Sequence, residues 1–220
     1  EHNESKQRDY WYSVARDAVD LESAQEIGRK TGLRSAARLG ARKIATCEVP
    51  VIFEAPIASS LIGHFASAIS GGSLYRKSSF LLDSIGEQVF APDIQILDLP
   101  YLPKGLGSGP FDEDGVATME RKIVENGIVQ GYFLGSYSAR KLGLSSTGNA
   151  GGVHNLDVTA NAAGLDELVR SMGRGLLVTE LMGQGVNAIT GDYSRGAAGF
   201  WVEGGEIQYP VDEITIAGNL

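Results

Sequence analysis

Apolar residues recur at helical intervals through DLESAQEIGRKTGLRSAARLGARK, from Asp20 onward, behind an aspartate able to cap a first turn, which predicts one or two helices. The pattern then changes. CEVPVIFE is dense in β-branched side chains, with Pro50 near its start, and predicts a strand. Just after Pro56 a short apolar run, IASSLIGHFASAIS, predicts a helix stopped by Gly71 and Gly72. SLYRKSSFLLDSIGEQVF reads as loop, turn and short strand, IQILDLP as a strand, and the Pro- and Gly-rich YLPKGLGSGPFDEDGV as a surface loop.

The clearest local signal lies in TMERKIVENGIVQGYFL. There two β-rich runs meet at Asn126-Gly127, the pair that a type I′ hairpin turn favours. SYSARKLG predicts a short helix, STGNAGGVHNLDV a glycine-rich loop running into a strand, and LDELVRSMG a helix ended by Gly173. From there strands alternate with glycine turns, and Gly204-Gly205 marks a second hairpin. The first 19 residues, polar with Tyr10, Trp11 and Tyr12 inserted, read as an entering strand. No repeat or internal boundary stands out. The expected fold is α+β, a large, curved, mostly antiparallel sheet with a few helices packed against it.

Composition narrows the function. Hydrophobic residues at 43% and charged residues at 21% describe an ordinary globular chain, whereas 29 glycines in 220 residues imply many turns and close backbone contacts. A net charge of -8 without a basic run argues against direct nucleic-acid binding. Cys47 is the sole cysteine, so an internal disulfide is excluded and the cytoplasm is the natural compartment. No apolar stretch reaches membrane-spanning length, and the chain does not open with a signal peptide.

Candidate chemistry is sparse. His64 has no second histidine or glutamate between Pro56 and Gly72, so a zinc helix of the HExxH kind is not formed and a core, capping or interface role is favoured. Cys47, His64 and His154 with an acid such as Asp192 show no catalytic spacing. GQGVNAITGDYSRG lacks the Lys-Ser/Thr of a phosphate loop, and FDEDG lacks EF-hand spacing.

Three stretches together resemble one family: GGSLYRKSSFLLDSIGEQV, SYSARKLGLSSTGNAGGVHN and LVTELMGQGVNAITGDYSRGAAGFWVEGGEIQYPVDEITIAGN. They are similar to the PmbA (TldE) branch of the TldD/PmbA family of metallopeptidases and modulators of DNA gyrase. The resemblance implies that residues 1–220 form a C-terminal-type domain, without the family's N-terminal domain and short C-terminal tail. It implies a cytoplasmic complex with a TldD-type protein that degrades unfolded or short peptides and processes peptide precursors, with a homodimer possible when the partner is absent. In the TldD branch a helix carrying His-Glu-x-x-x-His holds zinc. Aligned on the downstream Gly-Gly and Arg-Lys landmarks, those ligands fall on Ile62, Gly63 and Ser67, which cannot bind it. The implied role is therefore that of a non-catalytic subunit, with no cofactor of its own and zinc in the partner. Peptide contact is expected in the Ser145–His154 and Thr179–Arg195 segments, at His154, Glu180, Gln184, Asp192 and Arg195, by strand pairing in an open cleft. Two alternatives stand beside it: a chain that is itself a metallopeptidase, and a binding module acting on gyrase.

Overall fold

The structure is a computed structural model that describes residues 6–159 and 164–220. Its contacts divide the chain into two compact units made of interleaved segments. Unit 1 comprises Glu1–Ser60, Ala162–Val186 and Asp192–Leu220, and unit 2 comprises Leu61–Asn161 and Asn187–Gly191. The division is invisible in the sequence because unit 1 is assembled from three separate pieces of chain, so no linker marks it. Among the described residues no helix is long and apolar enough to cross a membrane.

In unit 1, α1 (Ala24–Ala37) begins at Ser23, whose hydroxyl accepts from the Glu26 N–H; the aspartate that caps nearby is Asp17, on a 3₁₀ turn over Ala18–Asp20. The sheet is ordered β1 (Val51–Phe53), β6 (Gly175–Met182), β7 (Asp192–Glu203), β8 (Glu206–Asn219). β1 runs parallel to β6 and the other pairs are antiparallel. β6 is covered on both faces, which is why its apolar run is continuous rather than alternating. Leu176 and Val178 pack with Ala197, Trp201 and Val211, while Leu177, pointing the other way, packs with Val202 and with Val169 of α5 (Leu165–Met172). Pro210, which has no N–H to give, is tolerated in β8 because that strand lies at the sheet edge.

Buried charge ties the first segment of unit 1 to the rest. Arg34 makes a two-pronged pair with Glu54 at 2.7 and 2.9 Å and reaches Asp9 at 3.3 Å. Arg38, 6% exposed, pairs with Glu180 of β6 and donates to the Arg8 carbonyl at 3.0 Å. Lys30 and Arg34 both stand over the Trp11 ring. These side-chain pairs, rather than a ladder, hold residues 6–15, so the strand expected there is absent among the described residues.

Unit 2 carries the second sheet, ordered β4 (Ile128–Val129), β3 (Arg121–Glu125), β2 (Gln95–Asp98), β5 (Leu156–Thr159), all antiparallel. The antiparallel α+β character expected from the sequence is present, with the strands shared between two four-stranded sheets. Asn126 and Gly127, at φ 52° and 78°, make the hairpin turn between β3 and β4. The core gathers Ile69, Ile96, Ile123, Val124, Val129 and Phe133. α2 (Ala55–Ala68) contributes Phe65 and Ala68 to it.

Gly71 and Gly72 are not a helix stop. They open α3 (Gly71–Tyr75), capped by the Ser70 hydroxyl. Gly71 is required by packing: a Cβ there would lie 2.2 Å from Ser138 Oγ of α4 (Ser136–Leu142). α4 ends at Gly143 in the left-handed conformation (φ 70°), as its sequence predicts.

Candidate functional site

Unit 2 contains an open cleft of about 920 Å³. Its floor is one face of α2, where Gly63, Ala66 and Ser67 recur at helical spacing, continued by Ser70 at the cap of α3. α3 with Arg76, the start of α4, and the Asn149–Val153 loop form the walls. Gly63 and Ser67, two of the positions that the resemblance sets against zinc ligands, line the cleft, whereas Ile62 packs against the core. His64, about 100° further round the helix, is half-buried and is not part of the lining.

The loop wall is pinned from below by a buried polar network. Asp98, at the end of β2, has no exposed surface. Its carboxylate accepts from the His154 backbone N–H at 3.0 Å, from Asn149 Nδ2 at 2.9 Å, and from His154 Nδ1 at 3.0 Å. Since an ionised carboxylate only accepts, Nδ1 carries the imidazole proton. Asn149 uses its whole amide: Nδ2 also donates to the Gly152 carbonyl, and Oδ1 accepts from Arg121 at 3.1 Å and from the Thr147 hydroxyl at 2.8 Å. Burial pulls the Arg121 guanidinium below its ordinary pKa, against the opposing charge of Asp98. Two carboxylates complete the wall. Asp112 accepts from the Ala150, Val116 and Asp114 N–H groups, and Asp114 accepts from the Ser136 N–H, capping α4 from a distant loop. Burial is the largest single influence on Asp112 and disfavours its charge. The three N–H groups, with His154, outweigh burial and hold the carboxyl below the usual range.

The residues singled out from the sequence fall in both units. His154 belongs to unit 2, where it braces the loop rather than lining the cleft. Glu180, Gln184, Asp192 and Arg195 belong to unit 1. Glu180 is engaged by Arg38, Gln184 is exposed in the turn after β6, and Asp192 accepts from Asn219. Arg195, opposite Ile216 on β7, lies beside Tyr193, whose hydroxyl burial pushes up in pKa and Arg195 pulls back. Asp98, Arg121 and Asn149 were missed. A signal existed for Asp98: it shares the inward parity of Ile96 in β2, and an acid at an inward position of an apolar strand needs partners.

The cleft lining has no imidazole, thiol or glutamate, and its one carboxylate, Asp114, is already committed to α4. Among the described residues no group of three His, Cys, Asp or Glu side chains is placed to hold a metal ion. The donor set of the cleft thus does not fit the zinc ion that the family implies.

Residues 46–220 match the PmbA/TldA metallopeptidase C-terminal domain. Metalloprotease PmbA of Escherichia coli O157:H7 is 54% identical over all 220 residues, which correspond to 49% of its own length. A Haemophilus influenzae PmbA homologue is 57% identical over 97% of this chain and 48% of its own. A TldD homologue from the same organism is 27% identical over 72% of this chain. Among solved structures, a Thermotoga maritima protein named as a candidate modulator of a DNA gyrase superposes with TM-score 0.89 at 38% identity, covering 96% of this chain and 51% of that one. TldE from Thermococcus kodakarensis gives TM-score 0.78 at 27% identity, covering 93% and 49%. The chain spans about half the length of the curated relatives it matches.

Proposed function

The chain belongs to the PmbA/TldD metallopeptidase family, and from that premise we propose that it is the non-catalytic subunit of a zinc peptidase assembly with a TldD-type partner, acting on unfolded or short peptides and peptide precursors. Its cleft holds part of the peptide, and the partner supplies the metal. One observation carries the reading: the α2 face lining the cleft presents Gly63, Ala66 and Ser67, side chains too small and too poor in donors to grip a divalent ion. A smooth floor of small residues suits a chain that makes room for a substrate. The residues of this chain then bind and orient; the Asp98 network keeps the loop wall in one conformation so that little ordering is lost on binding.

The test is reconstitution. The full chain is mixed with a TldD-type protein, hydrolysis of an unfolded peptide is followed with and without chelator, and bound metal is measured by inductively coupled plasma spectrometry. The expected result is chelator-sensitive cleavage by the mixture only, and far less than one zinc per copy of this chain. Chelator-sensitive cleavage by this chain alone, with stoichiometric zinc, would assign it the chemistry instead.

A further inference from the structure

The side chains at one rim of the unit 2 cleft form a row of cations and rings. Tyr75 and Tyr137 meet edge to face at 5.7 Å between centroids. The Arg76 guanidinium stands 5.2 Å from the Tyr75 centroid and Lys141 Nζ 5.6 Å from that of Tyr137. Arg76 lines the cleft and is exposed. It is folded back over α3: Nη1 donates to the Tyr75 hydroxyl at 3.2 Å, and a Cβ at Gly72 would stand 3.3 Å from Nη2. Among the described residues no carboxylate stands within ion-pair distance of Arg76 or Lys141. Asp114, the acid of the same lining, spends its carboxylate on the Ser136 N–H.

In unit 1, Arg34 and Arg38 are each closed by carboxylates, whereas Arg42, like Arg76, stands over a tyrosine ring, 4.7 Å from the Tyr209 centroid. At the cleft rim the guanidinium rests on the Tyr75 ring and its hydroxyl, with most of its five donors unspent. Such a group is preorganised to take two oxygens of one carboxylate, the interaction that a planar guanidinium makes best. The Lys141 charge adds attraction at longer range, and the tyrosine faces offer apolar contact to the chain that bears the acid.

We propose that Arg76 is a specificity-determining residue that receives a peptide carboxylate, either a chain terminus or an acidic side chain, in the unit 2 cleft. This rests on the reading of that cleft as the peptide-holding surface.

Direct binding tests it without any need for hydrolysis. Fluorescence anisotropy on the full chain would compare three labelled unfolded peptides of otherwise uncharged sequence: one with a free C-terminal carboxylate, one amidated, and one amidated with a single internal glutamate. The wild-type chain is expected to bind at least one carboxylate-bearing peptide about tenfold more tightly than the neutral one, and whichever it is identifies the source of the carboxylate. Arg76→Ala should abolish that preference, and Arg76→Lys should keep part of it because charge remains but the two-pronged geometry is lost. Circular dichroism and thermal unfolding check that both variants fold. Equal binding of all three peptides by the wild type, no binding of any, or an undiminished preference in folded Arg76→Ala would each overturn the proposal. The subunit reading fails on different measurements, namely zinc content and chelator-sensitive cleavage by this chain alone.

Discussion

Asp98 illustrates what one residue decides in this molecule. It is a fully buried carboxylate whose oxygens are shared among His154, Asn149 and the charge of Arg121. Such a charge adds little net stability when its partners are intact, yet removing it strands every donor that faced it. Asp98→Ala is therefore expected to cost about 3–5 kcal/mol, read as a lowered urea midpoint with an unchanged slope, and Asp98→Asn to cost less because an acceptor oxygen survives. A loss under about 1 kcal/mol would mean that the network is no stronger than a surface pair. Asp112 acts in the same wall through its depressed pKa. Its stabilisation is present above the ordinary carboxylate value and fades as pH falls through the lowered one, so the loop wall is secure at neutral pH.

At the scale of elements, local signals and tertiary demands diverge most clearly at Gly71 and Gly72. A glycine pair behind an apolar helical run normally marks a stop. Here α2 has already ended at Ala68, and the pair starts α3 because α4 approaches so closely that only a hydrogen fits at Gly71. Gly71→Ala places its methyl 2.2 Å from Ser138 Oγ and 2.5 Å from its Cβ. It should cost about 1–3 kcal/mol through overpacking, and adding Ser138→Gly should recover most of that. Thermal unfolding of the two single variants and the double gives the coupling, and additive losses would refute the contact as the cause. By contrast, the Asn126-Gly127 and Gly204-Gly205 turns follow their sequence, since φ above zero at both central positions is a local requirement that a distant neighbour does not change.

For the molecule as a whole, unit 1 is closed by charge as well as by apolar contact. Arg38 joins three stretches far apart in sequence: Arg8 and Asp9, its own helix end, and Glu180 of β6. Arg38→Ala leaves Glu180 without its cation inside the fold and Asp9 with Arg34 alone, and is expected to cost about 3–5 kcal/mol. Hydrogen exchange should show the earliest loss of protection in α1 and β6, while unit 2 amides keep theirs; uniform loss through both units would contradict the assignment of these contacts to unit 1 alone.

The apolar periodicities and turn pairs were enough to place α1, α5, the β3–β4 hairpin and the β-rich last third, because each depends on residues only a few positions apart. The motif stretches were enough to place the family. The division into two units, the bracing of the loop wall by His154 against Asp98, the engagement of Glu180 by Arg38, and the Tyr75–Tyr137 contact beside the cleft came only with tertiary structure. Each of these joins residues tens of positions apart. Which polar groups meet across such distances is set by the packing of whole elements, and no local pattern records it.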